Sequence, residues 1–455
     1  MGETRELAKF ASRTSFEDLP SDLVRTAKVY VLDNLTAGFV GAVQPWSRIV
    51  ADLAGDLGGK EEASTFDIPR RADVSRAAWI NGTMIGAFEI EHIGHSSHPS
   101  GTVFPAALAL AERDHRDGRA LITAMMIGYE VVCRIGRAQT AAVERERGFH
   151  NPAANGAFGA AAAAGKLLNL DEHGLAWAFG IAGSSAGGLT EFVWEGAMTK
   201  RLHLGRAAQL GLESALLAQR GFTGPSTVLE GRYGYFAAFS PRPALDGLLR
   251  DLGRVWLAKD LVIKPYPCHV TSQAIVHAIQ QFKNEHPLDP AVIRRVTITV
   301  SPRLVENRHL DREPATILGA QYSLPYTAAV ALARDMSNPS VFNAQVLEDP
   351  TIRSLAKKID ILAGASSSEG ISGSAPAEIT IEMEGITQTL FARDFPGSPR
   401  SPLDFKGATE KFYRCTGPLI RESRAKEILE TVQDLERLPD VAALAVLVSG
   451  ALAPA

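Results

Sequence analysis

The sequence predicts a mainly α fold, in which a large all-helical domain built from both chain ends carries an inserted, smaller α+β lid domain. Three observations lead there. From Thr4 to about Lys264 the apolar residues recur mostly at helical spacing; after Lys264 short segments alternate with period two; beyond Ser401 helical spacing returns. The boundaries read as 1–264 with 401–455 for the helical domain and 265–400 for the lid.

Taken in order, Leu23, Ala27, Tyr30, Val31 and Leu35 form one stripe behind a start signal at Pro20-Ser21-Asp22. Further helices are predicted at 73–90, 103–115, 118–140, 152–167, 171–187, 201–221 and 244–251. Several are crowded with small residues, as in Asn155-Gly156-Ala157-Phe158-Gly159. Glycine costs helix propensity, so such runs point to helices in close approach within a bundle. In the second region, 295–300, 378–382 and 387–391 alternate as strands, the last two joined by a turn at Gly385. Helical stripes at 270–284, 323–335 and 340–347 surround them, which gives an α+β unit. A Pro-, Gly- and Ser-rich loop at 395–402 closes the region, and helices at 403–414 and 420–435 return to the first domain. A cleft between the two domains follows from this layout.

With 455 residues, 45% of them hydrophobic and 22% charged, the chain is long enough for two ordinary globular domains. A formal net charge of -4 provides no basic field for nucleic acid or an anionic membrane, so any anionic ligand must be held by a few local cations. Cys133, Cys268 and Cys415 are odd in number and far apart, which fits free thiols in a reducing compartment. The first twenty residues have no apolar signal region, and no window approaches a membrane-spanning length; a cytoplasmic location is the expectation. Nucleotide fingerprints fail as well. Gly165-Lys166 lacks the Ser/Thr and the upstream glycine of a phosphate loop, and the glycine-rich stretches follow helices instead of strands.

The richest segment is 89–101, where Glu89, Glu91, His92, His95 and His98 place two acids and three of the eleven histidines in thirteen positions. Acid/base chemistry is the leading reading. Zinc binding by His92, His95 and His98 at spacing three is an alternative, and a structural hydrogen-bond cluster another. The zinc reading needs a helix that Gly94 and His98-Pro99 disfavour. His150 sits at a predicted helix entry, where bland and functional readings are balanced. Lys200, Arg201 and His203 follow Thr199 at a helix start that already favours an anion; a solvated basic turn is the bland reading. In 263–269, Lys264 and His269 flank two prolines at the domain junction, as a hinge or a carboxylate clamp. Cys268 beside His269 invites a thiol-nucleophile reading, against which nothing else resembles an acyl-transfer site.

His98-Pro99-Ser100-Gly101, then Phe149-His150, Thr199-Lys200 with Leu202-His203-Leu204-Gly205, and Lys264-Pro265-Tyr266-Pro267 stand in the order and approximate spacing of the MmgE/PrpD family. Tyr322-Ser323-Leu324-Pro325-Tyr326 and Asp394-Phe395-Pro396-Gly397 extend the resemblance through the smaller region. The resemblance implies a homodimer whose active site lies between the domains and takes a small anionic carboxylate substrate, with no metal and no organic cofactor. It implies catalytic roles for His98, His150, Lys200, Lys264 and Glu89, with substrate binding by His95, Arg201, His203, Tyr266, His269 and Tyr322. One departure concerns the acids: an aspartate-rich stretch of the family has become Glu89-Ile90-Glu91-His92.

By that resemblance the chain is expected to be a cofactor-independent lyase that removes a proton next to a carboxylate of a di- or tricarboxylate. His98 would act as base, His150 as its partner acid, Lys200 and Lys264 as counter-charge to an enediolate, and Glu89 as the group orienting an imidazole. A 2-methylcitrate dehydratase-like reaction comes first; cis-aconitate decarboxylase-like or iminodisuccinate epimerase-like chemistry is the alternative. Remoter alternatives are a metal-dependent hydrolase on the histidine cluster and a non-catalytic carboxylate-binding protein.

Overall fold

Helical spacing in the first two thirds of the chain resolves into a bundle in a computed structural model, which describes residues 2–66, 71–305, 309–364 and 376–452. In chain order, α1 (Glu3–Arg13), α2 (Ser21–Ala42) and α3 (Pro45–Asp56) precede a two-stranded ribbon, β1 (Ala63–Ser64) with β2 (Arg71–Ala72). Next come α4 (Val74–Ile85), α5 (Pro99–Arg113), α6 (Gly118–Gln139), α7 (Ala142–Arg147) and α8 (Asn151–Leu167). The bundle continues with α9 (Glu172–Ser184), α10 (Phe192–Glu195), α11 (Thr199–Gln219) and α12 (Tyr235–Phe239). Asp73, Asp117 and Asp171 cap α4, α6 and α9 by accepting from backbone N–H groups of the first turn.

α8 lies at the centre, packed against α5, α6, α9 and α11. Its residues from Asn151 to Gly165 are all buried, so it has no polar face and must be surrounded. The small residues permit this closeness. A Cβ on Gly205 of α11 would stand 2.2 Å from the Trp79 carbonyl oxygen of α4, well inside contact distance.

Two predicted helices end differently. The one expected over 73–90 stops at Ile85, and residues 86–98 run as an irregular loop in which Glu89, His95 and Ser96 have φ of 59°, 49° and 54°. Left-handed backbone at non-glycine residues is strained and clusters at functional sites. Pro99 then starts α5 at its first position, where a missing N–H costs nothing, four residues before the predicted start. Of the helix expected over 244–251 only a 3₁₀ turn at Leu245–Gly247 forms; Gly247 in its middle lowers helix propensity.

The second region contains α13 (Gln273–Glu285), β3 (Ile293–Val300), α14 (Ile317–Tyr322), α15 (Leu324–Ala333), α16 (Ala344–Glu348), α17 (Pro350–Lys357), β4 (Ile359–Ala363), β5 (Ala377–Met383) and β6 (Ile386–Ala392). The sheet order is β4-β3-β5-β6, with β3 parallel to β4 and antiparallel to β5. β5 and β6 form the expected hairpin, turning at Gly385 with φ 74°. Val296, Ile298 and Val300 of β3, with Ile379 and Ile381 of β5, bury one face, against which α13 and α15 pack.

After the sheet the chain returns to the bundle. α18 (Phe405–Thr416) packs on α2, and α19 (Glu422–Gln433) and α20 (Ala442–Val448) follow it. Gly118 N–H donates to Leu438 O at 2.8 Å, and Val441 N–H donates to Arg116 O at 2.8 Å. No helix among the described residues is long and apolar enough to cross a membrane.

Candidate functional site

Three helix N-termini meet the 86–98 loop. His98 is the N-cap of α5, His150 the N-cap of α8, and Lys200 lies in the first turn of α11. Unpaired N–H groups and the helix dipole make each end favourable to negative charge. The fourth contributor is the 260–268 segment, held by reciprocal backbone hydrogen bonds between Ile93 and Val262 at 2.9 and 2.7 Å. Ile263 N–H donates to Gly397 O at 2.8 Å, and a Cβ on Gly397, whose φ is 101°, would stand 2.2 Å from Ile263 O. The Asp394–Gly397 stretch thus clamps the strand that carries Lys264.

The charged groups form a continuous chain. His98 Nδ1–H donates to Glu91 Oε1 at 2.9 Å; Lys264 Nζ donates to the same oxygen at 3.2 Å and to Glu89 Oε2 at 3.1 Å. Glu89 Oε1 abuts the Lys200 ammonium. The His98 and His150 ring centroids are 6.1 Å apart, and His150 Nδ1 lies 3.1 Å from His203 Nδ1, so one imidazole donates to the other. Phe192 packs edge-on against both His150 and His203. Lys200 Nζ sits 5.5 Å from the Tyr322 ring centroid, and the Tyr322 and His269 rings are 4.5 Å apart. Arg201 Nε–H donates to Ala87 O at 2.8 Å while its guanidinium lies 3.8 Å over the Trp46 ring.

Burial raises a carboxyl pKa, but Lys264 and His98 outweigh it at Glu91 and bring that group down to about 2. Burial pushes the His98 imidazole below its ordinary value, with Glu91 opposing. It pushes His203 down to about 4, helped by the Lys200 charge, and Arg201 down to about 10. At Lys200, burial and the Lys264 and Arg201 cations press toward the neutral amine, while the adjoining Glu89 carboxylate opposes them. Arg201 Nη2, Glu91 Oε2 and Gln321 Oε1 are buried without a hydrogen bond among the described residues. Unmet polar capacity concentrated at one place is what a polar ligand would satisfy.

The residues singled out in the sequence separate into two groups. His98, His150, Lys200, Lys264 and Glu89 come together, with Arg201, His203, Tyr322 and His269 around them. His95 and Tyr266 are tied elsewhere: His95 Nε2–H donates to Leu257 O at 3.1 Å, and the Tyr266 hydroxyl pairs with His277 Nδ1 at 2.9 Å. Zinc binding by the three spaced imidazoles does not hold, because the segment is not helical and each ring has its own partner. His92 meets Asp33 and Tyr129, His95 meets Leu257, and His98 meets Glu91. Among the described residues no group of three His, Cys, Asp or Glu could hold a metal ion. Cys268 is fully buried, and burial pushes its thiol upward, which removes the nucleophile reading. Cys133, Cys268 and Cys415 are all free.

The acid that meets His98 is Glu91, not Glu89, to which the resemblance assigns the orienting role. No local pattern singles Glu91 out, because the left-handed backbone at Glu89, φ 59°, breaks any period-two alternation between the two acids. Gln321 carries no chemical signature in the sequence, yet its Nε2 donates to Phe88 O and Pro267 O, both at 3.1 Å, joining the two segments that carry Glu89 and Lys264.

Comparison with known proteins gives the family of the chain. Over 99% of this chain and 98% of its own length, a cis-aconitate decarboxylase-like protein of Aspergillus oryzae is 29% identical. A cis-aconitate decarboxylase of Aspergillus terreus is 28% identical over 97% of this chain and 95% of its own, and that of Homo sapiens 27% over 96% and 92%. The MmgE/PrpD N-terminal domain matches residues 5–247, the helical stretch bearing His98, His150 and Lys200, and the MmgE/PrpD C-terminal domain matches 266–437. With two successive family domains matched across nearly its whole length, the chain belongs to the MmgE/PrpD family.

Proposed function

We propose that this protein is a decarboxylase of a small unsaturated tricarboxylate of the cis-aconitate type. The decarboxylase relatives support this above the dehydratase reading that the sequence put first. The observation that carries it is the buried cluster in which His98, Lys200, Lys264 and Arg201 stand beside unsatisfied polar atoms at three helix N-termini.

Loss of CO₂ breaks a carbon–carbon bond and leaves its electron pair on carbon, in conjugation with the double bond and a remaining carboxylate. The transition state therefore spreads negative charge onto that carboxylate, and fixed cations lower its energy. Lys200, Lys264 and Arg201 serve that role. A proton must then reach carbon. His98, with Nδ1 held by Glu91, keeps Nε2 for this transfer, and Glu91 stabilises the imidazolium form that donates. His150, paired with His203 and with its ring centroid 6.1 Å from that of His98, is the alternative donor of the same single proton. The site lies between the helical bundle and the sheet-bearing unit, with Tyr322 and His269 closing it from the latter.

The test is incubation with cis-aconitate in D₂O. Released CO₂ and one deuterium on a carbon of the product are expected. Water elimination from 2-methylcitrate with no CO₂ from cis-aconitate would reverse the order of the two reactions. A dicarboxylate is assayed alongside for proton exchange without net conversion, the mark of epimerisation.

A further inference from the structure

Behind the Glu89–Glu91 segment lies a second buried charged cluster that the proposed chemistry leaves unused. Glu89 and Glu91 reach Lys264, whereas His92 turns to the opposite side. There the hydrogen bonds run in one direction. Asn34 Nδ2 donates to the Tyr129 hydroxyl oxygen at 3.0 Å; Tyr129 O–H donates to His92 Nε2 at 2.9 Å; His92 Nδ1–H donates to Asp33 Oδ2 at 2.8 Å. Lys411 Nζ completes it, donating to Asp33 Oδ1 at 2.6 Å and to Ile90 O at 2.7 Å. Asp33, Asn34, His92, Tyr129 and Lys411 are each at most 2% exposed.

The backbone contacts give the cluster its meaning. Ile90, gripped by Lys411, is the residue between the two glutamates. Ser100 Oγ–H donates to His92 O at 2.9 Å, so the first turn of α5, which His98 caps, hangs from the same residue. Buried ion pairs add little stability compared with apolar side chains of the same volume, and their best-attested use is to fix a unique arrangement. We infer that Lys411, acting with Asp33 and His92, is a positioning unit that holds Glu91 and His98 in hydrogen-bonding register. α18 would then complete the site from the far end of the chain. This rests on His98 being the proton-transfer group.

The test uses the full chain with isotopically labelled histidine and no substrate. His98 is identified by the resonance missing from His98→Ala, and its titration is followed in Lys411→Met, Lys411→Arg and His92→Gln. The groups facing His98 are Glu91, Lys264, Glu144 and His150, of which Glu91 is the hydrogen-bonded acid. Displacing Glu91 should move the His98 midpoint to lower pH in Lys411→Met, and Lys411→Arg should restore it. In a separate assay with cis-aconitate, turnover should fall about 10²-fold with little change in KM, as expected for a catalytic group displaced by about 1 Å. If Lys411→Met fails to fold, His92→Gln, which retains the Lys411–Asp33 pair, should show the same shift. A folded Lys411→Met or His92→Gln variant in which His98 titrates as in the parent overturns the inference. The titration needs no turnover, so failure of the decarboxylase reading leaves this result intact.

Discussion

Glu91 Oε1 lies 2.9 Å from His98 Nδ1 and 3.2 Å from Lys264 Nζ, so one carboxylate oxygen orients the proposed proton donor and anchors a site cation. Such an acid fixes both the tautomer and the charge of its imidazole. His98→Ala should lower kcat by about 10²- to 10⁴-fold, the usual worth of a positioned acid or base. Glu91→Gln should lower kcat with a smaller change in KM. Steady-state kinetics on cis-aconitate checks both, and a His98→Ala enzyme at parental rates would remove His98 from its role.

Glu89 lies between Lys200 and Lys264, an internal carboxylate placed where a substrate carboxylate would also bind. Glu89→Gln leaves buried ammonium charge uncompensated and should cost about 3–5 kcal/mol of stability near neutral pH. A tricarboxylate should then raise the melting temperature more in Glu89→Gln than in the parent, because the ligand supplies the missing charge. Thermal shift with and without citrate reads this directly.

His203 titrates only down at about pH 4, against 6.5 as its ordinary value. Between those values the unfolded chain binds a proton that the folded chain refuses, so stability is intact above pH 6.5 and falls as pH drops toward 4. Glu91 has the same sign in a lower window: its contribution is present above 4.5 and is lost as pH falls toward 2. Denaturant unfolding at several pH values should show His203→Gln with a flatter dependence between 6.5 and 4 than the parent; equal slopes would count against the burial of that imidazole.

Arg201 is sandwiched between the Trp46 ring and the Ala87 carbonyl, with Nη2 buried and unbonded among the described residues. Arg201→Lys keeps the charge but loses the planar donor fork. A charged hydrogen bond is worth about 1.5–3 kcal/mol, so KM for the anionic substrate should rise by roughly tenfold to a hundredfold. Unchanged KM would place Arg201 outside the substrate contacts.

Gly205→Ala tests the packing that lets α11 reach the site. The added methyl would meet the Trp79 carbonyl oxygen and the Thr83 side chain. Overpacking of this kind costs about 1–3 kcal/mol, which calorimetry would register as a lower melting temperature.

Much of the fold was legible because local pattern and local structure coincide. The stripe through Leu23, Ala27 and Tyr30 became α2, and the alternation at 378–382 and 387–391 became the β5–β6 hairpin around Gly385. β4 escaped because its five residues, with only Ile359 fully buried, give too short an alternation to stand out beside α17. The 86–98 loop escaped because its course depends on Lys411, Asp33 and Val262, none of which is near it in sequence.

Residue types at fixed spacing determined the helical bundle, the sheet and the list of groups able to move protons or hold carboxylates, because periodicity and pKa are properties of short stretches and single side chains. Which of those groups meet was decided by the tertiary structure. His98 and Lys264 lie in separate segments that Glu91 joins, while His95, three residues before His98, turns away to Leu257. The physical reason is that distance and burial set the interaction between charges, and both arise only when three helix ends and a distant loop pack around the same strained segment.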